Sequence, residues 1–416
     1  MEGTWRKEKE IEGCREKHLL SRLVEKCLFC HSLPIPALEP EISVVIPCLN
    51  EARTIGICVK KAIQAIALLQ IPGEVVVADN GSTDGSQELA IQEGARVVHA
   101  TVHGYGSAIS EGIRASKGHF IVIGDGDDSY NFLEIGPFVE AWKSGAGFVL
   151  GNRFKGGIDP GAMPFLHRYL GNPVLSYIGR LFFQNSFGDF HCGMRGITKT
   201  AFESMDLQTT GMEFASEMVV KASLLGIPSA EVPVRLFRDG RGREPHLNTW
   251  TDGWRHLRFL LLFSPRWLFF YPGLLFVFCG LLFSSLLSRS MVPFQTIKLD
   301  VSTLLYAAAL TLVGFQLIAF YLLSQAFAQR EGLSIKSGLR LTAFRLEWGL
   351  LIAGVLFFIG TGLSFSALSY WRSQDFGPLN PQVVLRKVIP AVTCLLLAFQ
   401  TGTFSFFLSF LQIRKK

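Results

Sequence analysis

The last third of the chain contains four runs without a single Asp, Glu, Lys or Arg: Trp267 to Ser288, Val301 to Gln329, Trp348 to Trp371 and Val388 to Ile413. Each is at least as long as the roughly 20 residues an α-helix needs to cross the hydrocarbon core of a bilayer. A single globular core does not hide four such helices, so the runs predict an all-α membrane domain of four transmembrane helices over residues 267–416. Much of the hydrophobic content, 49% of the chain with 35 phenylalanines, is concentrated there. Pro272 and Gly273 do not spoil the first span, because neighbouring helices in lipid satisfy the freed carbonyl. Arg330, Lys336, Arg340 and Arg345 between spans two and three, and Arg414, Lys415 and Lys416 at the end, outweigh the basic residues of the other two loops. Lys and Arg mark the cytoplasmic side. The expectation is an integral membrane protein whose N-terminal domain and C-terminus are cytoplasmic.

Residues 1–40 read as a charged N-terminal extension, with seven basic and seven acidic side chains through Glu39 and no apolar run of the kind a secretory signal carries. "CLFCH", Cys27 to His31, fits a haem-attachment pattern and is read as a chance match. The eight cysteines are scattered and suggest no disulfide framework.

Between residues 41 and 247 short β-branched runs alternate with helical periodicity. "ISVVIP", "EVVVAD", "ARVVHA", "HFIVIGD" and "GFVLGN" read as strands, and the segments between them as amphipathic helices. Such alternation predicts an α/β domain with a mostly parallel, Rossmann-like sheet covered on both faces. In such sheets ligands bind beyond the carboxyl ends of the strands. Five polar clusters fall there: "PCLNE", "DNGSTDG", "HGYG", "DGDD" and "GNR".

"DGDD" packs Asp125, Asp127 and Asp128 into four positions. The twelve-residue calcium loop is excluded, since Tyr130 stands where its glycine belongs and Gly136 where its glutamate belongs. A pyrophosphate cradle is excluded by its own negative charge. Asp128 or Ser129 as a helix cap would account for one residue only. What remains is a divalent cation, Mg²⁺ or Mn²⁺, held by Asp125 and Asp127 and completed by water and a diphosphate.

The ordered set "SVVIPCLNEARTI", "VADNGSTDGS", "GDGDDS" and "GNRF" resembles a family 2 glycosyltransferase of GT-A fold. "DFHCGMRGITKTAFESM" and "GMEFASEMVVKASLLGIPSAEVPV" resemble its polyprenyl phosphate branch, the dolichyl phosphate mannosyltransferases and bacterial polyprenyl phosphate glucosyltransferases. The resemblance covers about residues 42 to 265. It implies that Pro47, Asn50 and Glu51 line the base and ribose pocket, that Asp79 accepts from a base N–H, and that Asp125 and Asp127 stand at the sugar diphosphate and metal. Ser129 would be a third, weaker metal-side ligand. Arg153, Arg168 and Arg195 match positions near an acceptor phosphate, which guanidinium forks bind bidentately. Arg238, Arg241 and Arg243 in "FRDGRGREPHL" lie close before the membrane.

A phosphate monoester is already anionic and needs no base, which leaves Asp189 and Glu217 as positioning residues or metal neighbours. The expected reaction inverts the donor configuration, moving a hexose from UDP-glucose or GDP-mannose to a polyprenyl phosphate. "NTWTDGWRHLRFLLLFSPRW" places Trp250, Trp254, Leu257, Leu261 and Leu262 on one side, as an interfacial helix over 248–266 would. The expected partners are therefore a nucleotide-diphosphate sugar, a polyprenyl phosphate lipid and the bilayer, without nucleic acid; a homo-oligomer is open. The alternatives are transfer to a hydroxylated lipid such as diacylglycerol or ceramide, which needs a general base, and a processive polysaccharide synthase. The latter lacks its signature glutamine, since position 263 is Phe.

Overall fold

The computed structural model describes residues 39–240, 249–288, 292–294, 297–330 and 345–412. Arg241 and Arg243, the "CLFCH" stretch and nearly all of the N-terminal extension lie outside these.

Seven strands form the first sheet: β1 (Ile42–Cys48), β2 (Gly73–Asp79), β3 (Arg96–His99), β4 (Phe120–Ile123), β5 (Phe148–Asn152), β6 (Arg195–Thr198) and β7 (Ser229–Pro233), in the order β3-β2-β1-β4-β6-β5-β7. β1 pairs in parallel with β2 and β4, β2 with β3, and β5 with β7. The central strands are apolar on both faces because helices cover both, and Val44, Val45, Val122 and Ile123 are fully buried. Helices α1 (Ile55–Leu69), α2 (Ser86–Gln92), α3 (Tyr105–Ala115) and α4 (Gly136–Lys143) supply the crossovers of the first half.

β6 is the exception, running antiparallel to both β4 and β5. Its reversal has a functional consequence: Arg195 opens β6 opposite Ile123 and Leu150, at the carboxyl ends of its neighbours. The loop before β6 is thereby delivered to the same edge as the loops after β1, β2, β4 and β5. Neither β6 nor β7 stands out in the sequence, since each is only four or five residues long and half-buried or glycine-containing.

The chain continues through α5 (Asn172–Phe183), α6 (Lys199–Met205) and α7 (Phe214–Leu225) to α8 (Thr249–Leu262). One face of α8, with Phe259 and Leu260, belongs to the core of the sheet domain, while Trp250 and Trp254 face outward. Four long apolar helices follow as expected, with somewhat different ends: Arg266–Leu287, Val301–Gln329, Leu346–Arg372 and Pro381–Gln412. The fourth starts earlier than the apolar run because Arg386 forms an ion pair with Asp300, at the start of the second, and so belongs to the helix. The spans pack mainly as a row, in the order one, two, four, three. Between the first two the backbones approach closely, and a Cβ at Gly280 would lie 2.3 Å from the Thr311 hydroxyl.

Candidate active site at the carboxyl edge of the sheet

The loops after β1 and β2 are stitched together. Asn50 adopts a left-handed conformation (φ 57°) that turns the chain out of the sheet. Its side-chain oxygen accepts from the Thr83 N–H at 2.8 Å, and its own N–H donates to the Ser82 hydroxyl at 2.9 Å. Glu51, buried, donates its N–H to Ser86 Oγ at 2.8 Å. Pro47 is still within β1, paired with Ala78. Asp79 ends β2 and is buried; its carboxylate accepts from the N–H groups of Gly81 and Ser82 and, at 2.7 Å, from Gln87 Nε2. In this arrangement Asp79 holds the "NGS" turn, a local reason for its position that stands beside the expected base contact.

Beyond β4 the three aspartates part company. Asp125 Oδ1 accepts from the Tyr105 hydroxyl at 2.9 Å. Asp127 Oδ1 accepts from the Ser129 N–H at 3.0 Å and from its hydroxyl at 2.6 Å. Asp128, at φ 61°, turns away to Lys61 Nζ at 2.6 Å. Charge density alone in "DGDD" did not reveal that the third carboxylate balances a lysine of α1. Nor does Asp128 or Ser129 cap the next helical turn: Asn131 does, accepting from the Leu133 N–H, because only after Tyr130 does the chain turn into Phe132–Glu134. Ser129, expected beside the metal, spends its hydroxyl proton on Asp127.

Among the described residues no group of three or more His, Cys, Asp or Glu side chains is arranged to hold a metal. Two carboxylates of one loop at the strand end are a hard oxygen donor set. They suit Mg²⁺ or Mn²⁺ bound with few protein ligands, the remaining positions belonging to water and phosphate.

On the opposite bank the arginines are committed to the protein. Arg153 donates through its backbone N–H, Nε and Nη2 to the fully buried Asp189, at 3.1, 2.7 and 2.8 Å. Burial opposes its charge, but Tyr130 and Asp189 outweigh burial and hold the guanidinium well above the usual range. Arg195 donates to three main-chain oxygens, those of Cys192, Phe190 and Ala215. It is buried among them, and burial lowers its pKa. Beside the expected phosphate contact, Arg195 has a structural role: its hydrogen bonds fasten the 190–195 loop to α7. Glu217 is likewise bound within the protein. Its carboxylate accepts from the N–H groups of Gln208 and Thr209 and from the Thr209 hydroxyl at 2.6 Å, and pairs with Lys221 at 2.9 Å. It secures the 208–209 turn.

Two further arginines are less enclosed, Arg168 half-buried and Arg238 exposed. Arg168 lies over the ring of Tyr169 at 5.5 Å. Arg238 is exposed and donates Nε to the Pro160 carbonyl at 2.6 Å. Its segment is tied to the acid loop by two main-chain bonds, the Phe237 N–H to the Ser129 carbonyl and the Gly240 N–H to the Asp127 carbonyl, both at 2.9 Å. The sequence placed this basic stretch near the membrane; the structure adds that it runs across the aspartates.

An apolar surface escaped the sequence reading. Phe165, Tyr169, Leu170 and Tyr177, along α5 and the turn before it, are 57–74% exposed. α5 packs beside α8, and Phe182 stacks on Trp267, the second residue of the first span, at 5.5 Å between ring centroids. The four-residue spacing from Phe165 to Tyr169 and from Tyr177 to Leu181 was the available signal.

Residues 43–205 match Glycosyl transferase family 2, and residues 322–412 match the Glycosyltransferase family 2 C-terminal transmembrane region. The chain is 36% identical to the low-salt glycan biosynthesis hexosyltransferase Agl6 of Haloferax volcanii, over 80% of this chain and 83% of that protein. It is 27% identical to the dolichyl-phosphate hexose transferase of the same organism, over 51% of this chain and 89% of that one. Among solved structures, glucosyl-3-phosphoglycerate synthase from Mycobacterium tuberculosis, in complex with Mn²⁺, UDP and phosphoglyceric acid, aligns over 55% of this chain and 79% of its own. The identity is 22% and the TM-score 0.42.

Proposed function

This chain belongs to glycosyl transferase family 2 and is a membrane glycosyltransferase, and we propose that it moves a hexose from a nucleoside diphosphate sugar to a polyprenyl phosphate at the cytoplasmic surface. The observation that carries this reading is the strap of residues 237–240, hydrogen-bonded across the acid loop and followed within ten residues by α8. Its main chain joins the segment that carries Arg238 to the acid loop, and in this reading an anionic lipid headgroup would meet an anionic donor there. Two anions brought together need cations between them, and Arg238 and Arg168 supply them.

In this reading Pro47, Asn50, Glu51 and Asp79 frame the nucleoside, and Asp125 and Asp127 face the diphosphate. A divalent cation bound by those two carboxylates would neutralise charge on the departing nucleoside diphosphate. Arg153, held by Asp189, and Arg195 fix the floor on which the acceptor rests. Asp189 and Glu217, the acids that could serve a hydroxyl acceptor as base, are engaged with Arg153 and with the 208–209 turn. A phosphate acceptor, which attacks the anomeric carbon without losing a proton, fits that arrangement, and in-line attack inverts the donor's configuration. Rate would then come from placement and preorganised charge. The exposed faces of α5 and α8 seat the domain in the headgroup layer.

The test uses detergent-purified full-length protein with Mg²⁺ or Mn²⁺, undecaprenyl or dolichyl phosphate, and radiolabelled UDP- and GDP-sugars. One sugar is expected to enter the organic phase as lipid phosphate sugar. The signal should fall at least about a hundredfold in Asp127→Ala, the scale of losing one preorganised charge-stabilising group, and vanish with chelator. Label in diacylglycerol or in a polymer instead would overturn the acceptor assignment.

A further inference from the structure

The "HGYG" cluster after β3 has no part in the function described so far. Its tyrosine is nonetheless bonded to one of the two donor-side carboxylates. Tyr105 Oη donates to Asp125 Oδ1 at 2.9 Å. Tyr105 is placed by two glycines that admit no side chain. A Cβ at Gly104, where φ is 137°, would lie 2.2 Å from the Thr210 carbonyl oxygen, and one at Gly106 would lie 2.6 Å from Phe214 Cβ. The ring is thus seated between the 209–214 turn and the acid loop.

The other carboxylate oxygen is confined from the opposite side. A Cβ at Gly193 would stand 2.2 Å from Asp125 Oδ2, so only glycine leaves room for the carboxylate there. Gly193 is itself fixed, its N–H donating to Tyr130 Oη at 2.9 Å.

We propose that Tyr105 and Gly193 act as a clamp that holds Asp125 in one rotamer, making Tyr105 a positioning residue for the donor-side cation and diphosphate. The inference rests on the donor-site reading of Asp125. A carboxylate gripped by one oxygen presents itself in a fixed orientation; with the phenol removed it turns, and ordering it again on binding costs affinity. Gly193 also belongs to the 190–195 loop that Arg195 ties to α7. The clamp therefore has one jaw on the donor bank and one on the acceptor bank.

The experiment is calorimetric titration of the detergent-purified full chain with Mn²⁺ in the presence of UDP, and separately of GDP, alongside steady-state transfer and thermal melting. Tyr105→Phe is expected to weaken Mn²⁺-dependent nucleotide binding about tenfold, the usual scale for one hydrogen bond to a charged group. It should lower kcat and leave the KM for polyprenyl phosphate and the melting temperature unchanged. Gly193→Ala should cause a larger loss of the same binding. Should that variant melt early, Tyr105→Phe alone decides. Mn²⁺-dependent nucleotide binding that is intact in Tyr105→Phe overturns the clamp and leaves the donor-site reading standing. Absence of such binding to either nucleotide in the unaltered protein overturns both.

Discussion

The two sets of arginines differ in what surrounds them. Arg153 and Arg195 are 8% and 2% exposed, and their donors end on Asp189 and on three carbonyls. Arg168 and Arg238 are more accessible, one stacked over a tyrosine and the other tethered through Nε. All four are arginines in glycine-bearing segments, and the sequence alone does not rank them. The difference lies in burial. A charge taken out of water must be matched within the fold, and once matched it is structure first; a more accessible charge keeps its chemistry for a ligand.

The most forceful way to break that distinction is Arg153→Ala, which leaves the carboxylate of Asp189 buried without its guanidinium. A loss of about 3–5 kcal/mol of stability is expected, read as an early thermal unfolding transition, with part of it regained in Arg153→Ala/Asp189→Ala. A variant that melts normally and loses only lipid affinity would put Arg153 with the accessible set. Arg238→Ala sharpens the other side. The KM for polyprenyl phosphate should rise about tenfold, as when one charged hydrogen-bonding group is lost, with melting unchanged and the KM for nucleotide sugar little affected. An unchanged lipid KM would remove Arg238 from the acceptor's path.

The smallest effect concerns Glu217, which resembles the buried set in being fully spent. Burial pulls its pKa upward, but the Thr209 hydroxyl and N–H, Lys221 and the Gln208 N–H outweigh burial and lower it below the ordinary 4.5. A carboxylate with a lowered folded pKa contributes its full stability above its ordinary range, and the contribution disappears as pH falls through the folded value. Glu217→Gln should therefore cost about 1–2 kcal/mol at pH 7, and the gap between the two melting curves should close as the pH falls below the ordinary carboxylate range and through the lowered folded value. A constant gap would mean that shape, not charge, is what the 208–209 turn requires.

Much of this molecule was legible in advance because periodicity and charge are local. The strands "ISVVIP" and "EVVVAD", the four spans and the acidic strand end all announce themselves within a few residues. What was illegible depends on partners far along the chain. Asp128 belongs to Lys61, Asp189 to Arg153, and Asp125 to Tyr105 and Gly193. No spacing rule links these pairs, so a cluster such as "DGDD" can show that carboxylates gather without showing which of them is already balanced. β6 was missed for a related reason: a four-residue strand carries little pattern of its own, and its antiparallel pairing with β4 and β5 is set by the sheet it joins.

The outward apolar faces of α5 and α8, joined to the first span through the Phe182–Trp267 stack, have a kinetic consequence. Under the proposed reaction, an enzyme lying against a membrane meets its two substrates in different dimensions, the sugar nucleotide by diffusion in a volume and the lipid by diffusion in a plane. Its saturation by lipid should follow the mole fraction of polyprenyl phosphate in the surface and not its bulk concentration. Diluting the acceptor with inert phospholipid at constant total amount should slow the reaction, while diluting the whole suspension should leave the lipid step as it was.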